Sequence, residues 1–271
     1  MRILLLGGGN MGTAIVVGAL KSIADAQVTI VDPNPERVRE LLGNETVEIH
    51  ETLGVVRNQE FDFSVLAVKP QVFGTLKSED LATVARGCVV SIMAGITLAQ
   101  MVDKLGTSRV IRTMPNLPAV VGQAMTVGIA GQGASAADCK SVEALFGSVG
   151  AFTWLAEESQ IDAVTAVAGS GPGYVFAFAH YMMEAAQAAG LNVELSDLLV
   201  RQTLLGAAGM LKSDPRSALA LKEAVTSKAG TTEAGLQVLE RADGLPQLCT
   251  EAVEAARSRS VDLSREKLAC R

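Results

Sequence analysis

The sequence Ile3-Leu4-Leu5-Leu6-Gly7-Gly8-Gly9-Asn10-Met11-Gly12 joins a short apolar run to the pattern G-x-G-x-x-G. The run Ile3–Leu6 predicts a strand that is buried on both faces, and Met11–Leu20 has the apolar spacing of a helix. Asp32 stands 20 residues after Gly12, at the end of a second predicted strand. Glycines between a strand and a helix, followed by such an acid, are typical of a dinucleotide-binding turn.

Each of the three glycines in the pattern has a predicted role. Gly7 permits the tight turn, Gly9 lets the backbone approach a pyrophosphate, and Gly12 allows the helix to pack closely on the strand. The start of the helix then offers unpaired N–H groups and a partial positive charge to the pyrophosphate. The alternative is a glycine-rich turn that binds nothing.

Asp32 and Lys69 lie at strand ends, and each has two possible roles. A carboxylate at Asp32 would accept hydrogen bonds from the adenosine ribose and repel a 2′-phosphate, which favours NAD. Asp32-Pro33-Asn34-Pro35 is also a good turn, so Asp32 could instead cap the next helix. Lys69, in Ala67-Val68-Lys69-Pro70, follows a strand at the edge where ligands of such sheets bind, but it could equally be a solvated lysine.

Strand-like and helix-like segments alternate through the first 158 residues. They predict an α/β domain over residues 1–158, a doubly wound and mostly parallel Rossmann sheet. From residue 159 to 271 the strand signals nearly vanish, which predicts an all-α domain whose apolar faces pack against a second subunit. The predicted strands are Ile3–Leu6, Gln27–Val31, Phe63–Val68, Cys88–Ile92, Val110–Arg112, Met125–Ile129 and Phe152–Trp154. The predicted helices after residue 158 are Ile161–Ala168, Gly173–Ala189, Ser196–Leu211, Ser217–Val225, Thr232–Arg241 and Gln247–Arg259, with a break at Gly169–Gly173.

Composition narrows the classes of function. The 271 residues carry 23 Lys+Arg and 29 Asp+Glu, a net charge of −6, which argues against nucleic acids and anionic membranes as partners. The chain has two histidines, too few for a His-rich metal site, and its four cysteines form no C-x-x-C pair. We therefore expect a cytoplasmic protein without a metal, whose thiols are buried or incidental. The cysteines are Cys88, Cys139, Cys249 and Cys270.

A bound nicotinamide implies hydride transfer, which raises the question of a proton donor. His50 lies in a polar stretch far from the predicted strand ends, and His180 lies within a predicted helix, where a packing role is the ordinary one. No convincing acid–base pair emerges of the kind that an alcohol dehydrogenase needs. A protonated imine needs less from the protein, because its C=N group already carries the positive charge that accepts hydride.

The segment Val225–Glu233 is suited to orienting such a substrate. It is rich in hydroxyl groups, contains Gly230 and leads into the predicted helix Thr232–Arg241. Backbone N–H groups at a helix start can bind a carboxylate. The alternative is a plain turn between two helices with a threonine N-cap.

Six motifs, in order along nearly the whole chain, resemble those of the pyrroline-5-carboxylate reductases, which catalyse the last step of proline synthesis. The resemblance implies a Rossmann domain and a C-terminal helical domain that interlocks with a partner as a homodimer, which in this family often assembles further into a decamer of five dimers. It implies NADPH or NADH as the cofactor and a small cyclic imine as the substrate. The motifs are Gly7–Gly12, Ala67–Pro70, Val90–Thr97, Arg112–Pro118, Ala168–Tyr174 and Val225–Thr232 with its continuation to Glu240.

The resemblance also implies roles for individual residues. On the cofactor side, Asn10 and Met11 would contact the pyrophosphate, and Asn34 the adenosine ribose or its 2′-phosphate. The nicotinamide side would be lined by Ala67, Lys69 and Ala94, with Pro70 counted among the cofactor-binding residues. On the substrate side, amides at Gly230, Thr231 and Thr232 would hold the carboxylate with help from Ser227, and the Thr232 hydroxyl would meet the ring nitrogen as the catalytic contact.

Several departures from the family pattern leave the nucleotide preference and the fine substrate geometry open. Lys228 stands where Pro is common, Ala229 where Gly is common, Leu117 where Thr is common, Ala224 where Asn is frequent, and Asp32 where a neutral residue is usual.

Two other functions compete with imine reduction. A hydroxyacid dehydrogenase of similar plan would carry Lys and Asn on the helix after the Gly-rich break, and residues 169–185 contain neither. A nucleotide-binding regulatory relative without turnover would have no need of the intact Gly230-Thr231-Thr232.

Overall fold

The computed structural model describes residues 1–45 and 47–266, so Cys270 lies outside the described residues. The chain divides into two compact units. The first comprises Met1–Ser170 together with the C-terminal residues from Ala256, and the second comprises Gly171–Ala255. The division into functional domains at residue 158 stays a prediction.

The first unit is built on a sheet of eight strands among the described residues. In chain order they are β1 Arg2–Leu6, β2 Gln27–Val31, β3 Glu48–His50, β4 Phe63–Leu66, β5 Cys88–Ser91, β6 Val110–Met114, β7 Ala124–Ala130 and β8 Gly150–Trp154. The spatial order is β3-β2-β1-β4-β5-β6-β7-β8, and only β7 against β6 is an antiparallel pair. The first six strands have the order of a dinucleotide-binding sheet, with its switch point between β1 and β4. The predicted α/β fold class is confirmed.

Helices cover both faces of this sheet and bury its apolar strands. Side chains of β1 alternate between two core clusters, as the pleat requires: Ile3 and Leu5 pack in one cluster, Leu4 and Leu6 in the other. The predicted continuous apolar run is therefore buried on both faces. The helices of this unit are α1 Asn10–Ser22, α2 Pro35–Leu42, α3 Pro70–Thr75, α4 Ser78–Val84, α5 Leu98–Leu105, α6 Ala136–Gly147 and α7 Ile161–Val164.

The sequence pattern does not predict the short strand β3. Its three residues, Glu48–His50, are mostly polar and give no apolar periodicity. The strand forms because β2 offers a free edge, to which Ile49 pairs opposite Ile30. The Thr29 hydroxyl of β2 also donates to the Glu48 carboxylate at 3.2 Å.

The secondary structure of the second unit, Gly171–Ala255, is all helical, as predicted. Its helices are α8 Gly171–Ala188, α9 Val193–Ser213, α10 Ala218–Ala224, α11 Thr231–Leu239 and the first part of α12 Leu245–Glu266. The predicted break at Gly169–Gly173 is shorter in the structure: a π-helical turn, Thr165–Gly169, follows α7, and Ser170 alone separates it from α8. No described helix has both the length and the apolar character needed to cross a membrane.

Candidate active site

Two glycines of the turn between β1 and α1 are required by the fold itself. Gly7 has a φ of +101°, a left-handed conformation, and a Cβ there would lie 2.7 Å from the Ala67 carbonyl oxygen of the β4 end. A Cβ on Gly12 would lie 2.5 Å from the Gly7 carbonyl oxygen. The tight turn and the close helix–strand packing are thus both present in the structure.

Gly9 differs, because nothing in the described protein requires a glycine there. Its φ is −75°, ordinary for any residue, and no protein atom lies within 4 Å of the position that its Cβ would take. Gly9 is the N-cap of α1, and no side chain caps this helix start, so the first-turn amides are open to a ligand. The space beside Gly9 is therefore open, and an anion placed there would meet the unpaired amides at the start of α1.

Asp32 connects the glycine turn to the end of β2. Its Oδ2 accepts a hydrogen bond from the Gly8 amide at 2.7 Å, and its Oδ1 accepts one from the Asn34 amide at 2.9 Å. The N-cap of α2 is Asn34, whose side chain accepts from the Arg37 amide at 3.1 Å. The alternative role of Asp32 as the cap of α2 is therefore wrong, although Asp32 does stabilise the turn before it.

The ends of β1 and β4 lie side by side at the switch point of the sheet. The Ala67 amide donates to the Leu6 carbonyl at 2.8 Å, Lys69 is the exposed N-cap of α3, and Pro70 is the first residue of that helix. A cavity of about 370 Å³ opens at these strand ends. Its apolar wall comes from Leu6, Val31, Pro33, Leu53, Val68 and Val72, and its charged rim from Glu51, Arg57, Lys77, Glu79 and Asp80.

Ala94 lies exposed in the turn between β5 and α5. The start of α5, after this turn, is held by a partly buried ion pair that the sequence did not predict. Arg112 of β6 has only 5% of its side chain exposed and donates to Glu158 at 2.6 Å. The same Glu158 oxygen accepts from the Leu98 amide, at the start of α5, at 2.9 Å. Arg112 is the last residue of a predicted buried strand. Because a buried guanidinium needs a counter-charge, its position in the sequence could have indicated an ion pair.

The predicted substrate segment forms a strained turn before α11. Ala229 has a φ of +59°, and its amide donates to the Glu233 carboxylate at 2.7 Å. The Gly230 amide donates to the Ser227 carbonyl at 3.0 Å. Gly230 is the N-cap of α11 without any side-chain cap, so the alternative of a threonine N-cap is wrong.

The residues predicted to bind the cofactor all lie in the first unit, in the turns that follow its parallel strands or at the starts of the helices after those turns. Those predicted to bind the substrate, Ser227, Gly230, Thr231 and Thr232, lie together around the start of α11 in the second unit, and Ser227, Thr231 and Thr232 are exposed there. The two histidines are elsewhere: His50 contacts Glu48 at 2.6 Å, and exposed His180 lies 3.5 Å from Glu184.

Two described groups of the first unit have strongly shifted pKa values, and contacts within the fold cause both shifts. Burial raises the pKa of the Cys88 thiol to about 12, so this thiol stays protonated. The Arg109 guanidinium, together with hydrogen bonds from Ser135, lowers the pKa of Asp138 to about 2. Within the described residues, no three His, Cys, Asp or Glu side chains are grouped as a metal site.

Known proteins resemble this chain over nearly its whole length. Residues 158–263 match the family model for pyrroline-5-carboxylate reductase dimerisation, and residues 2–95 match that for coenzyme F420-dependent NADP oxidoreductases. A pyrroline-5-carboxylate reductase of Pseudomonas aeruginosa is 36% identical, with 98% of this chain and 97% of the relative covered. One of Pisum sativum is also 36% identical, with 96% and 94% covered.

Solved structures agree with these relatives. A pyrroline-5-carboxylate reductase from Coxiella burnetii aligns with a TM-score of 0.86 and 32% identity, over 97% of this chain and 98% of that one. The pyrroline carboxylate reductase of Plasmodium falciparum, solved with NADP bound, aligns with a TM-score of 0.83 and 26% identity over the same shares. With this identity over nearly the full length of its relatives, the chain belongs to the pyrroline-5-carboxylate reductase family.

Proposed function

We infer that this chain reduces the cyclic imine pyrroline-5-carboxylate to L-proline with NADPH or NADH. The observation that carries this inference is the match to relatives of that name over 98% of the chain, which includes both the glycine turn and the turn before α11. The bound reduced nicotinamide supplies the hydride. The protein binds and orients the two reactants, since the protonated imine is already an electrophile.

In the proposed cofactor site, the backbone at Gly9, Asn10 and Met11 holds the pyrophosphate. Support comes from the open cradle at Gly9 and from the uncapped start of α1. We assign Asp32 and Asn34 to the adenosine ribose, beside the apolar cavity that would take the adenine. The nicotinamide side is assigned to Ala67, Lys69, Pro70 and Ala94, which follow β4 and β5.

In the proposed substrate site, the open amides of Thr231 and Thr232 hold the carboxylate with the help of the Ser227 hydroxyl. Gly230 shapes this turn, because its own amide already donates to Ser227, and a Cβ there would lie 2.9 Å from the Ser227 carbonyl oxygen. The Thr232 hydroxyl orients the ring nitrogen. Hydride adds to the carbon of the C=N bond, and the nitrogen keeps its proton and becomes the secondary amine of proline.

Residues 158–263 match a dimerisation family, and the second unit exposes many large apolar side chains, as a homodimer interface requires. Those on α8 and α9 include Val175, Phe176, Tyr181, Leu198, Leu205 and Leu211. For the larger assembly we propose a decamer of five dimers, which the family resemblance implies.

We also propose a cytoplasmic location. The free thiols of Cys88, Cys139 and Cys249 support it.

The decisive experiment is proline-dependent reduction of NAD and of NADP at high pH, with a matched series of 2-hydroxy acids. We expect turnover with proline and none with the hydroxy acids. Turnover with a hydroxy acid alone would establish the competing dehydrogenase. Cofactor binding without turnover on either substrate would establish a regulatory relative.

A further inference from the structure

We propose that Asp32 selects the cofactor and that the chain prefers NADH to NADPH. This inference rests on the proposed function, since it concerns the same cofactor site. NADH carries a hydroxyl at the adenosine 2′ position, where NADPH carries a phosphate. Asp32 at the end of β2 occupies the place in this fold from which a carboxylate reaches that position.

The Asp32 carboxylate is fixed in place from two sides. The Gly8 amide donates to one oxygen at 2.7 Å and the Asn34 amide donates to the other at 2.9 Å. Rotating the side chain away from an incoming phosphate would break both of these charge-assisted bonds. Each carboxylate oxygen keeps a second lone pair, which can accept a hydrogen bond from a ribose hydroxyl.

The surroundings of Asp32 add negative charge. The cavity lined by the next residue, Pro33, carries the three acids Glu51, Glu79 and Asp80 against the two cations Arg57 and Lys77, a net charge of −1. Arg57 is already engaged, 2.7 Å from Glu79 and 3.6 Å from Asp80. A hydroxyl is accepted in this environment, whereas a phosphate of nearly two negative charges is repelled.

Two cations oppose this preference, Lys77 on the rim of the cavity and Arg37 on α2. Arg37 is exposed in the first turn of α2 and has no ion-pair partner among the described residues, so it could reach a 2′-phosphate. It is a long, solvated side chain whose charge is screened by salt, whereas Asp32 is held beside the ribose position. We therefore assign Arg37 the smaller effect: it leaves NADPH usable without making it preferred.

The experiment measures the dissociation constants of NADH and NADPH by fluorescence titration, without substrate, at fixed physiological salt. We expect the native chain to bind NADH at least about tenfold more tightly than NADPH. Asp32→Ser and Asp32→Asn should each remove most of that difference, mainly by tightening NADPH. Arg37→Ala should weaken NADPH alone. Arg39→Ala, which removes the same charge two residues further along α2, is the matched control and should leave the ratio unchanged.

Equal affinities in the native chain, or a preference for NADPH, would overturn the inference. If both Asp32 variants left the ratio of the NADPH and NADH dissociation constants unchanged, the inference would be overturned as well. Asp32 would then only stabilise the glycine turn. Binding of neither cofactor would refute this inference and the proposed function together. A clear NADH preference without any reduction of the imine would refute the proposed function alone.

Discussion

Helices α2, α5, α6 and α9 begin at a side chain that accepts a hydrogen bond from the first turn, whereas α1 and α11 begin at a glycine. The capping residues Asn34, Thr97, Ser135 and Asn192 accept from first-turn amides at 2.8–3.2 Å. Gly9 and Gly230 provide no such acceptor. Each cap satisfies one first-turn amide of its own helix, whereas no side-chain cap accepts from the first-turn amides of α1 and α11.

The starts of α3, α4 and α7 also have no side-chain cap, so the glycine at the N-cap, and not the missing cap alone, distinguishes α1 and α11. Glycine at an N-cap costs only about a few tenths of a kcal/mol relative to a capping side chain, so the glycine starts of α1 and α11 leave their first-turn amides open at little cost in stability. These two starts are the places where a pyrophosphate and a carboxylate are proposed to bind. An anion supplies there the acceptor oxygens that the side chain would otherwise give.

The largest expected effect is on the glycine start of α1. Gly9→Val should weaken NADH binding by more than about a hundredfold, because the new side chain fills the cradle that the backbone offers to the pyrophosphate. The fold should remain, since no protein atom lies within 4 Å of the new Cβ. Titration of NADH and thermal unfolding measure the two properties separately.

Gly12→Val is the matched control for that variant. Its Cβ would lie 2.5 Å from the Gly7 carbonyl oxygen, so it should lower the melting temperature whether or not a ligand is present. An unchanged dissociation constant for Gly9→Val would remove this turn from the cofactor site.

The second prediction concerns the glycine start of α11. Thr232→Ala should lower kcat/KM by about one to two orders of magnitude, as the loss of one preorganised hydrogen bond does. Thr232→Ser should recover much of the loss, because the hydroxyl returns. The affinity for NADH should stay near that of the native chain.

Steady-state kinetics and cofactor titration together decide this prediction. If Thr232→Ala weakened NADH binding as much as it lowered turnover, the residue would belong to the cofactor site. If kcat/KM stayed the same, the turn before α11 would be structural only.

The third prediction tests a capped helix. Asp138 in the first turn of α6 is 3% exposed and pairs with Arg109 at 2.7 Å, and its pKa is lowered from 3.8 to about 2. A lowered pKa in the folded state stabilises the protein above pH 3.8, and this stabilisation is lost as the pH falls towards 2. Asp138→Asn should therefore lower the free energy of unfolding at pH 7 by at most about 2 kcal/mol, an upper value because Arg109 is half-exposed and screened.

Denaturant unfolding at a series of pH values measures this effect. The gap between Asp138→Asn and the native chain should narrow between pH 4 and pH 2, while kcat/KM at pH 7 stays the same. A gap that does not depend on pH would assign the loss to packing.

The smallest effect is expected at Ala229, whose φ of +59° is unfavourable for a residue with a Cβ. Ala229→Gly should raise the free energy of unfolding by less than about 1 kcal/mol, because glycine adopts this conformation without the steric penalty. Ala234→Gly, within α11, is the matched control and should lower it by about as much. A loss of stability in Ala229→Gly, seen in thermal unfolding, would contradict the prediction.

Local patterns predicted much of the fold and supplied the candidate site residues, whose roles stay predictions. The strand Gln27–Val31 has the predicted bounds, since a strand buried in a parallel sheet leaves a clear local signal of apolar, β-branched residues. The polar strand Glu48–His50 gives no such signal, because its formation depends on the free edge of β2. Threonine caps are common, so the hydroxyl-rich segment suggested one, yet the turn places Gly230 at the N-cap of α11.

By itself, the sequence determined the glycine turn, the acid that follows it and the strand–helix alternation, because each is a property of residues near one another in the chain. Tertiary structure decided that Gly7 and Gly12 serve the fold while Gly9 is free to serve a ligand. It also joined Asp32 to Gly8, and Arg112 to Glu158. These contacts depend on which strands lie side by side and in what register, and no local pattern of residues encodes that.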